Sequence, residues 1–444
     1  MTHSMRAVGA SLLIAVTGCS GGGGGSTIPS SAQLVPSSPK HASDVIKHIV
    51  VIIQENRSFD NLFQGYPGAD TAASGLASDG STIPLRPISL AYGRDPSHNY
   101  SDYIASFDAG KMDGFDHVPV SAGGQEANIA YGYVPRSESQ PYFDLASSYA
   151  LADRMFQSNQ GASYVAHQYL IAAQSANAVG VPTALPWGCD APAGTVVATF
   201  ATDGTPTGSA TPCFDYQTVG DLLDARNVPW AYYAPSIALM ENGDVSGAIW
   251  TPYDSIRHVR YGPDWGADQI APETTILSDI ANGNLRSVSI VTPDGYNSDH
   301  ARFPSTTGPM WVSSIVSAIG ASQYWKDTAI FVTWDDWGGW YDHVTPPHVD
   351  QNGPGFRVPL LAISPYAKHN YVSHVQFETA SITRFIEDTF GLGTLQQRDA
   401  SATSPDDMFD YSQKVAPLTG IRASASALRR ALSRGPSHVA PDDD

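Results

Sequence analysis

The sequence predicts an α/β protein, an α/β/α sandwich around a mostly parallel sheet with loop insertions. Short apolar runs rich in β-branched residues recur along the chain, and stretches with helical spacing lie between them. Carboxylates and histidines follow directly where several of these runs end. In open parallel sheets ligands bind beyond the carboxyl ends of strands, so those residues mark the candidate site.

The first run, His48-Ile49-Val50-Val51-Ile52-Ile53, is continuously apolar after its histidine, as in a strand buried on both faces. Trp230-Ala231-Tyr232-Tyr233, Val288-Ser289-Ile290-Val291, Ala329-Ile330-Phe331-Val332-Thr333 and Val358-Pro359-Leu360-Leu361-Ala362-Ile363 repeat that character. Helices are predicted over 218–227, 309–319 and 379–390. The last places Ile382, Phe385, Ile386 and Phe390 on one face. Segments 76–97 and 178–215 lack such patterning and are expected as insertions lying over the edge of the sheet.

The 444 residues carry 24 Lys+Arg against 43 Asp+Glu, a formal charge of −19. So acidic a chain repels polyphosphate, and no nucleic-acid partner is expected. Only 15% of residues are charged while 42% are hydrophobic, which excludes a disordered chain. Forty Gly and 32 Pro without a collagen-like period point to a globular protein with many loops.

Residues 1–19 read as an export signal: Met5-Arg6, a short apolar run, then small residues ending at Cys19. Val16-Thr17-Gly18-Cys19 resembles a bacterial lipobox. The expectation is an envelope lipoprotein, periplasmic or extracellular, touching membrane only through that N-terminal lipid anchor. Residues 20–44 read as a flexible Gly/Ser/Pro tether, 45–415 as the catalytic domain and 416–444 as a C-terminal tail. Of three cysteines, Cys19 is thus assigned to the anchor, and Cys189 and Cys213 are expected to form a disulfide.

Glu55 and Asn56 follow the first run, Asp294 and Asp299-His300 follow the third, and Asp335-Asp336 follow the fourth. Carboxylates converging on one sheet edge repel unless a cation lies between them. Glu55, Asn56, Asp335 and Asp336 offer hard oxygen donors, which suit one divalent metal ion such as Mg²⁺, Ca²⁺ or Mn²⁺. Neighbouring residues of a strand face opposite ways, so each pair converges only where the chain leaves β geometry. The loop after Ile53 and Gly338-Gly339 permit that. A lone Asp-Asp pair would more simply be a helix cap or a solvated loop.

Asp153 to Ser163 reads as a short strand and a small-residue turn, Gly161-Ala162-Ser163, that opens a helix through Tyr164, His167, Leu170 and Ile171. Ser163 then sits at a helix N-terminus, where free N–H groups and the dipole favour negative charge. Such a hydroxyl is an ordinary N-cap in most proteins; beside a metal it is a candidate nucleophile. No Gly-x-Ser-x-Gly elbow surrounds it, which disfavours an α/β-hydrolase esterase. His98, His258, His300 and His343 lie in polar, aromatic-flanked loops, where such groups could hold phosphoryl oxygens or protonate a leaving alkoxide. Arg57 could add positive charge, or serve a structural ion pair.

The stretch His48-Ile49-Val50-Val51-Ile52-Ile53-Gln54-Glu55-Asn56-Arg57-Ser58-Phe59-Asp60 closely resembles the opening motif of the bacterial phosphoesterase family. That family includes phosphatidylcholine-type phospholipases C and secreted acid phosphatases, on an alkaline-phosphatase-like fold. Gly110-Lys111-Met112-Asp113-Gly114-Phe115, Thr292-Pro293-Asp294, Thr333-Trp334-Asp335-Asp336-Trp337-Gly338-Gly339 and Arg357-Val358-Pro359 match further motifs in family order, over roughly residues 47–410.

The resemblance implies metal ligands at Glu55, Asn56, Asp335 and Asp336, a nucleophile at Ser163 and phosphate-contacting histidines at His98 and His300. His258 is a further catalytic candidate, and Arg57 and His343 are assigned to substrate binding. Asp336 stands where many relatives have Glu. Gly161-Ala162-Ser163 stands where Gly-Pro-Thr is common among the phospholipases, which brings the chain closer to the acid-phosphatase branch.

The expected function is therefore an exported, metal-dependent phosphoric ester hydrolase that works through a phosphoseryl intermediate, foremost on phosphate monoesters. A phospholipase C acting on phosphatidylcholine-like phospholipid is the alternative, with Trp334, Trp337, Trp340 and Tyr341 able to box a choline group by cation–π contact or, at least as readily, to pack a loop on the sheet. A catalytically silent surface lipoprotein ranks lowest, because no ligand or nucleophile is missing.

Overall fold

The β-branched run that opens at His48 becomes the central strand of an eight-stranded sheet. In the computed structural model, which describes residues 40–121, 126–266, 269–420 and residue 429, the strands are β1 (His48–Gln54), β2 (Ala150–Ala152), β3 (Trp230–Tyr233), β4 (Ile270–Ala271), β5 (Val288–Val291), β6 (Thr328–Trp334), β7 (Leu360–Ile363) and β8 (Tyr371–Ser373). Their order across the sheet is β4-β3-β5-β1-β6-β7-β2-β8. β1 pairs in parallel with both neighbours, Val51 lying opposite Ile290 of β5 and Phe331 of β6. Only β7 runs against its neighbours. The mostly parallel sheet is as expected.

All five runs read from the sequence are strands. β7 begins after Pro359, which has no N–H to give a ladder. The strands β2, β4 and β8 were not foreseen. Each is two or three residues long, too short to carry a periodic signal.

The helices that matter to the site are α1 (Arg136–Ser148), α2 (Ser163–Ala172), α3 (Val219–Ala225), α4 (Gly308–Gly320) and α5 (Thr379–Phe390). Thr218 caps α3 rather than joining it, through a reciprocal capping box with Asp221. The two faces of the sheet are covered by different helices. Phe331 packs on Phe385 of α5 at 5.0 Å between ring centroids. Trp334, of opposite parity on the same strand, meets Tyr142 of α1 at 5.0 Å. That alternation makes the three-layer sandwich.

The insertions do more than cover an edge. Segment 76–97 contributes to a hairpin (Ser74–Leu76 with Thr82–Pro84) and then brings Pro96 against Gly339, so that the next residues deliver His98 to the end of β1. Segment 178–215 forms a second two-stranded ladder (Val197–Thr199 with Gly208–Ala210). Val197 and Trp187 pack in one cluster with Tyr164 and Val165 of α2. Cys189 and Cys213 are bonded, with Cα atoms 4.5 Å apart, which closes this segment on itself as expected.

A short helix, Ala42–Val45, precedes β1 with Ala42 buried, within the end of the stretch expected as tether. No helix of the described residues is long and apolar enough to cross a membrane. The export signal, the lipobox at Cys19, most of the tether and most of the tail lie outside the described residues.

Candidate active site

The chain leaves β geometry where the carboxylate pairs require it. Asn56 takes a left-handed φ of 60° directly after Glu55. On the neighbouring strand end, Gly338 and Gly339 take φ of 60° and 74° after Asp335-Asp336. A Cβ on Gly338 would collide with the Asn56 carbonyl, so only glycine lets the two loops close on each other. The Asn56 N–H donates to Asp335 Oδ1 at 2.9 Å, and the Gly338 N–H donates to Asp336 Oδ1 at 2.8 Å. Both pairs thereby face one centre.

Ser163 is the first residue of α2, with Ala162 as the capping position. Its hydroxyl lies 3.3 Å from Asn56 Oδ1 and 3.3 Å from Asp336 Oδ2. Both distances are long for an O–H···O bond, so the hydroxyl is held between two oxygens rather than tied to one. The Asn56 amide nitrogen lies 3.0 Å from His98 Nε2 and 2.9 Å from His300 Nε2. His98 Nδ1 faces the Pro96 carbonyl at 3.0 Å. A carbonyl only accepts, so Nδ1 carries a proton, and Nε2 is the ring atom turned to the centre. Six predicted residues therefore meet here with Ser163: Glu55, Asn56, His98, His300, Asp335 and Asp336.

Electrostatics mark the same place. Burial first, then Glu55, push Asp335 up to about 7, against the pull of His167. Burial and Asp335 push Asp336 up to about 7, against His98 and His300. Histidines approach both carboxylates, His98 Nε2 at 3.9 Å from Asp336 Oδ2 and His167 Nε2 at 3.8 Å from Asp335 Oδ2. Asp335 Oδ2 is buried without a hydrogen-bond partner. One ligand atom each from Glu55, His167 and Asp335 lie within 4.8 Å of one another, and all three residues are buried. Buried carboxylate oxygens gathered this closely fit a divalent metal.

Three further candidates lie elsewhere. Arg57 gives its Nε and Nη2 to the Asp299 carbonyl at 2.8 and 2.6 Å, and its Nη1 to Asn61 Oδ1 at 3.3 Å. Burial pushes it down to about 10, against the pull of Asp299 and Asp95. It fixes the backbone that presents His300, a positioning role in place of the substrate contact expected.

His343 pairs with Asp60 at 2.6 Å and Asp70 at 3.0 Å. Its neighbour Asp342 is neutralised by Arg357 at 2.8 Å, so this second Asp-His group is an ion-pair network around a cation the chain supplies itself. His258 sits between Asp215 at 2.7 Å and Asp221 at 2.9 Å, which anchors it to the start of α3 rather than bringing it to the centre.

The aromatic box is also not formed. Trp334, Trp337 and Trp340 are fully buried, with Trp337 packed on Phe356 at 4.8 Å and Trp340 beneath Arg57 at 5.2 Å. These rings are core.

Two residues join the site unforeseen. His167 lies one helical turn beyond Ser163, its Nε2 at 3.2 and 3.3 Å from the Glu55 oxygens. Its four-residue offset from Ser163 was the available signal. Gln157 accepts the Trp337 N–H at 2.9 Å and donates to the Gly161 carbonyl at 3.3 Å, which ties the Asp335-Asp336 loop to the Ser163 turn. Nothing in its sequence neighbourhood distinguishes it.

The profile of the phosphoesterase family matches residues 46–393. Phospholipase C B of Mycobacterium tuberculosis is 25% identical over 443 residues, covering 85% of this chain and 80% of that protein. Non-specific phospholipase C3 of Arabidopsis thaliana is 23% identical over 445 residues, covering 87% and 77%. Among solved structures, phosphonate monoester hydrolase of Agrobacterium radiobacter aligns with a TM-score of 0.37 at 10% identity, over 83% of this chain and 78% of that one.

Proposed function

The chain belongs to the phosphoesterase family and hydrolyses phosphoric esters, and from that premise we propose a phosphomonoesterase that works through Ser163. The observation that supports this most is the placing of the Ser163 hydroxyl between Asn56 Oδ1 and Asp336 Oδ2, at a helix N-terminus and beside the carboxylate cluster.

Glu55, Asn56, Asp335 and Asp336 would hold one divalent ion. Bound there, it supplies positive charge that lowers the pKa of a hydroxyl and offsets charge on phosphoryl oxygens. Ser163 Oγ attacks phosphorus in line while its proton has an acceptor at Asp336 Oδ2. The ester P–O bond breaks and a phosphoseryl enzyme forms, which water then hydrolyses. The N–H groups opening α2 face the developing charge.

His98 and His300 flank the Asn56 amide, hold non-bridging oxygens and protonate the leaving alkoxide. Because His98 Nδ1–H is committed to the Pro96 carbonyl, Nε2 donates only when the ring is imidazolium.

Phospholipase C activity is the second reading, favoured by the relatives' names. Turnover of p-nitrophenyl phosphate, p-nitrophenyl phosphorylcholine and phosphatidylcholine vesicles separates the two. The first reading expects preference for the monoester. A preference for phosphorylcholine and vesicles would replace it with the second.

A further inference from the structure

Resting on the reading of the carboxylate cluster as a metal centre, we infer that His167 is a nitrogen ligand of that ion. The site would then take a borderline transition ion (Fe²⁺, Co²⁺ or Zn²⁺) rather than Mg²⁺ or Ca²⁺. An oxygen-only set of Glu55, Asn56, Asp335 and Asp336 suits the hard ions, and one imidazole nitrogen shifts the balance.

The geometry carries this. α2 is buried along all ten residues, so a polar side chain on it needs a partner inside the protein. His167 follows Ser163 by one turn and therefore shares its face. Its Nε2 lies 3.2 and 3.3 Å from the two Glu55 oxygens and 3.8 Å from Asp335 Oδ2. Ligands bound at about 2.1 Å around one ion stand about 3.0–3.4 Å apart in octahedral or tetrahedral arrangements, so the Glu55 spacing already matches. Asp335 Oδ2, the oxygen nearest His167 on that residue, has no hydrogen-bond partner. Nδ1 of His167 also has none. The polar contacts recorded for the ring therefore run through Nε2 into the cluster, with no relay behind it.

A purely structural His167, donating one hydrogen bond to Glu55, would leave ion preference unchanged. The test uses the full chain stripped of metal and titrated with Co²⁺ alone and with Ca²⁺ alone by calorimetry. His167→Gln should weaken Co²⁺ binding by roughly 10–100-fold, while Ca²⁺ binding moves by less than about threefold. Equal weakening of both ions, or of neither, overturns the inference.

Asp335→Asn separates this from the underlying reading. If it leaves Co²⁺ binding intact, the metal centre itself is wrong and the inference falls with it. If it abolishes binding while His167→Gln leaves the Co²⁺/Ca²⁺ ratio unchanged, only the role of His167 falls. A second readout begins with the unaltered chain: pulsed EPR of the Mn²⁺-loaded protein should show imidazole nitrogen coupling, lost in His167→Gln. Absence of the coupling in the unaltered chain, or its persistence in the variant, overturns the inference as well.

Discussion

Ser163 Oγ lies 3.3 Å from Asp336 Oδ2, although the two residues are 173 positions apart and enter from different layers of the fold. One stands at the start of a buried helix, the other just past the end of β6. The proposed chemistry depends on that meeting. Ser163→Ala should lower kcat by roughly 10³-fold or more while leaving the melting temperature and bound metal near those of the parent. Steady-state kinetics beside metal analysis checks this, and near-normal turnover would remove Ser163 from the mechanism.

His300 faces the same centre through Asn56 and packs against Trp250 and Phe303. Replacing it with Gln should cost roughly 10²–10⁴-fold in kcat, with a smaller effect on an activated substrate whose leaving group needs no proton. Comparing alkyl with p-nitrophenyl phosphates measures that difference. Equal losses on both would assign His300 to binding rather than to proton transfer.

Gly338→Ala should destabilise the fold by about 1–3 kcal/mol. The residue holds φ of 60°, and its Cβ would meet the Asn56 carbonyl. Because Asn56 must move, metal content should fall with stability. Denaturant unfolding and metal analysis on the same sample check both.

Away from the centre, Glu387 and Asp399 share one donor, the Leu395 N–H, at 3.2 and 2.8 Å. Burial and Asp399 push Glu387 up to about 8, from an ordinary 4.5. A carboxyl raised in the folded state favours folding while protonated. That contribution is lost as pH rises from about 4.5 through about 8. Glu387→Gln keeps the acceptor for Leu395 and should raise the melting temperature near pH 9, with the gain shrinking toward pH 5. A gain independent of pH would contradict the charge argument.

Much of this was legible because buried strands write themselves in continuous β-branched runs, and because carboxylates follow several such runs, Glu55, Asp299 and Asp335-Asp336, which no single pair would have signalled. Ala150–Ala152 left no mark, because a three-residue Ala-Leu-Ala strand is too short to show a period and is paired only in the folded sheet. His167 was hidden differently. A histidine inside an apolar helix reads as packing until Glu55, 112 residues earlier, is seen beside it. Trp337 left two readings open in the sequence, a ligand box or loop packing, and only its burial against Phe356 decides for packing. Arg57 and His343 share one limit. Sequence shows a charge near the site but not the carbonyl or carboxylate that already holds it.

The formal charge of −19 also takes on meaning from the structure. Glu55, Asp335 and Asp336 are buried, so part of the excess acid faces the reaction centre rather than solvent. Chelation should therefore abolish hydrolysis and lower the melting temperature, and a divalent ion should restore both. Loss of activity without any thermal shift would argue against a metal held by these buried groups.

The most direct measurement is acid quench during turnover of p-nitrophenyl phosphate, followed by peptide mass spectrometry. The account predicts one phosphoryl group on the peptide carrying Ser163, absent in Ser163→Ala. A phosphoryl group on another residue, or turnover in Ser163→Ala at the parental rate, would contradict it.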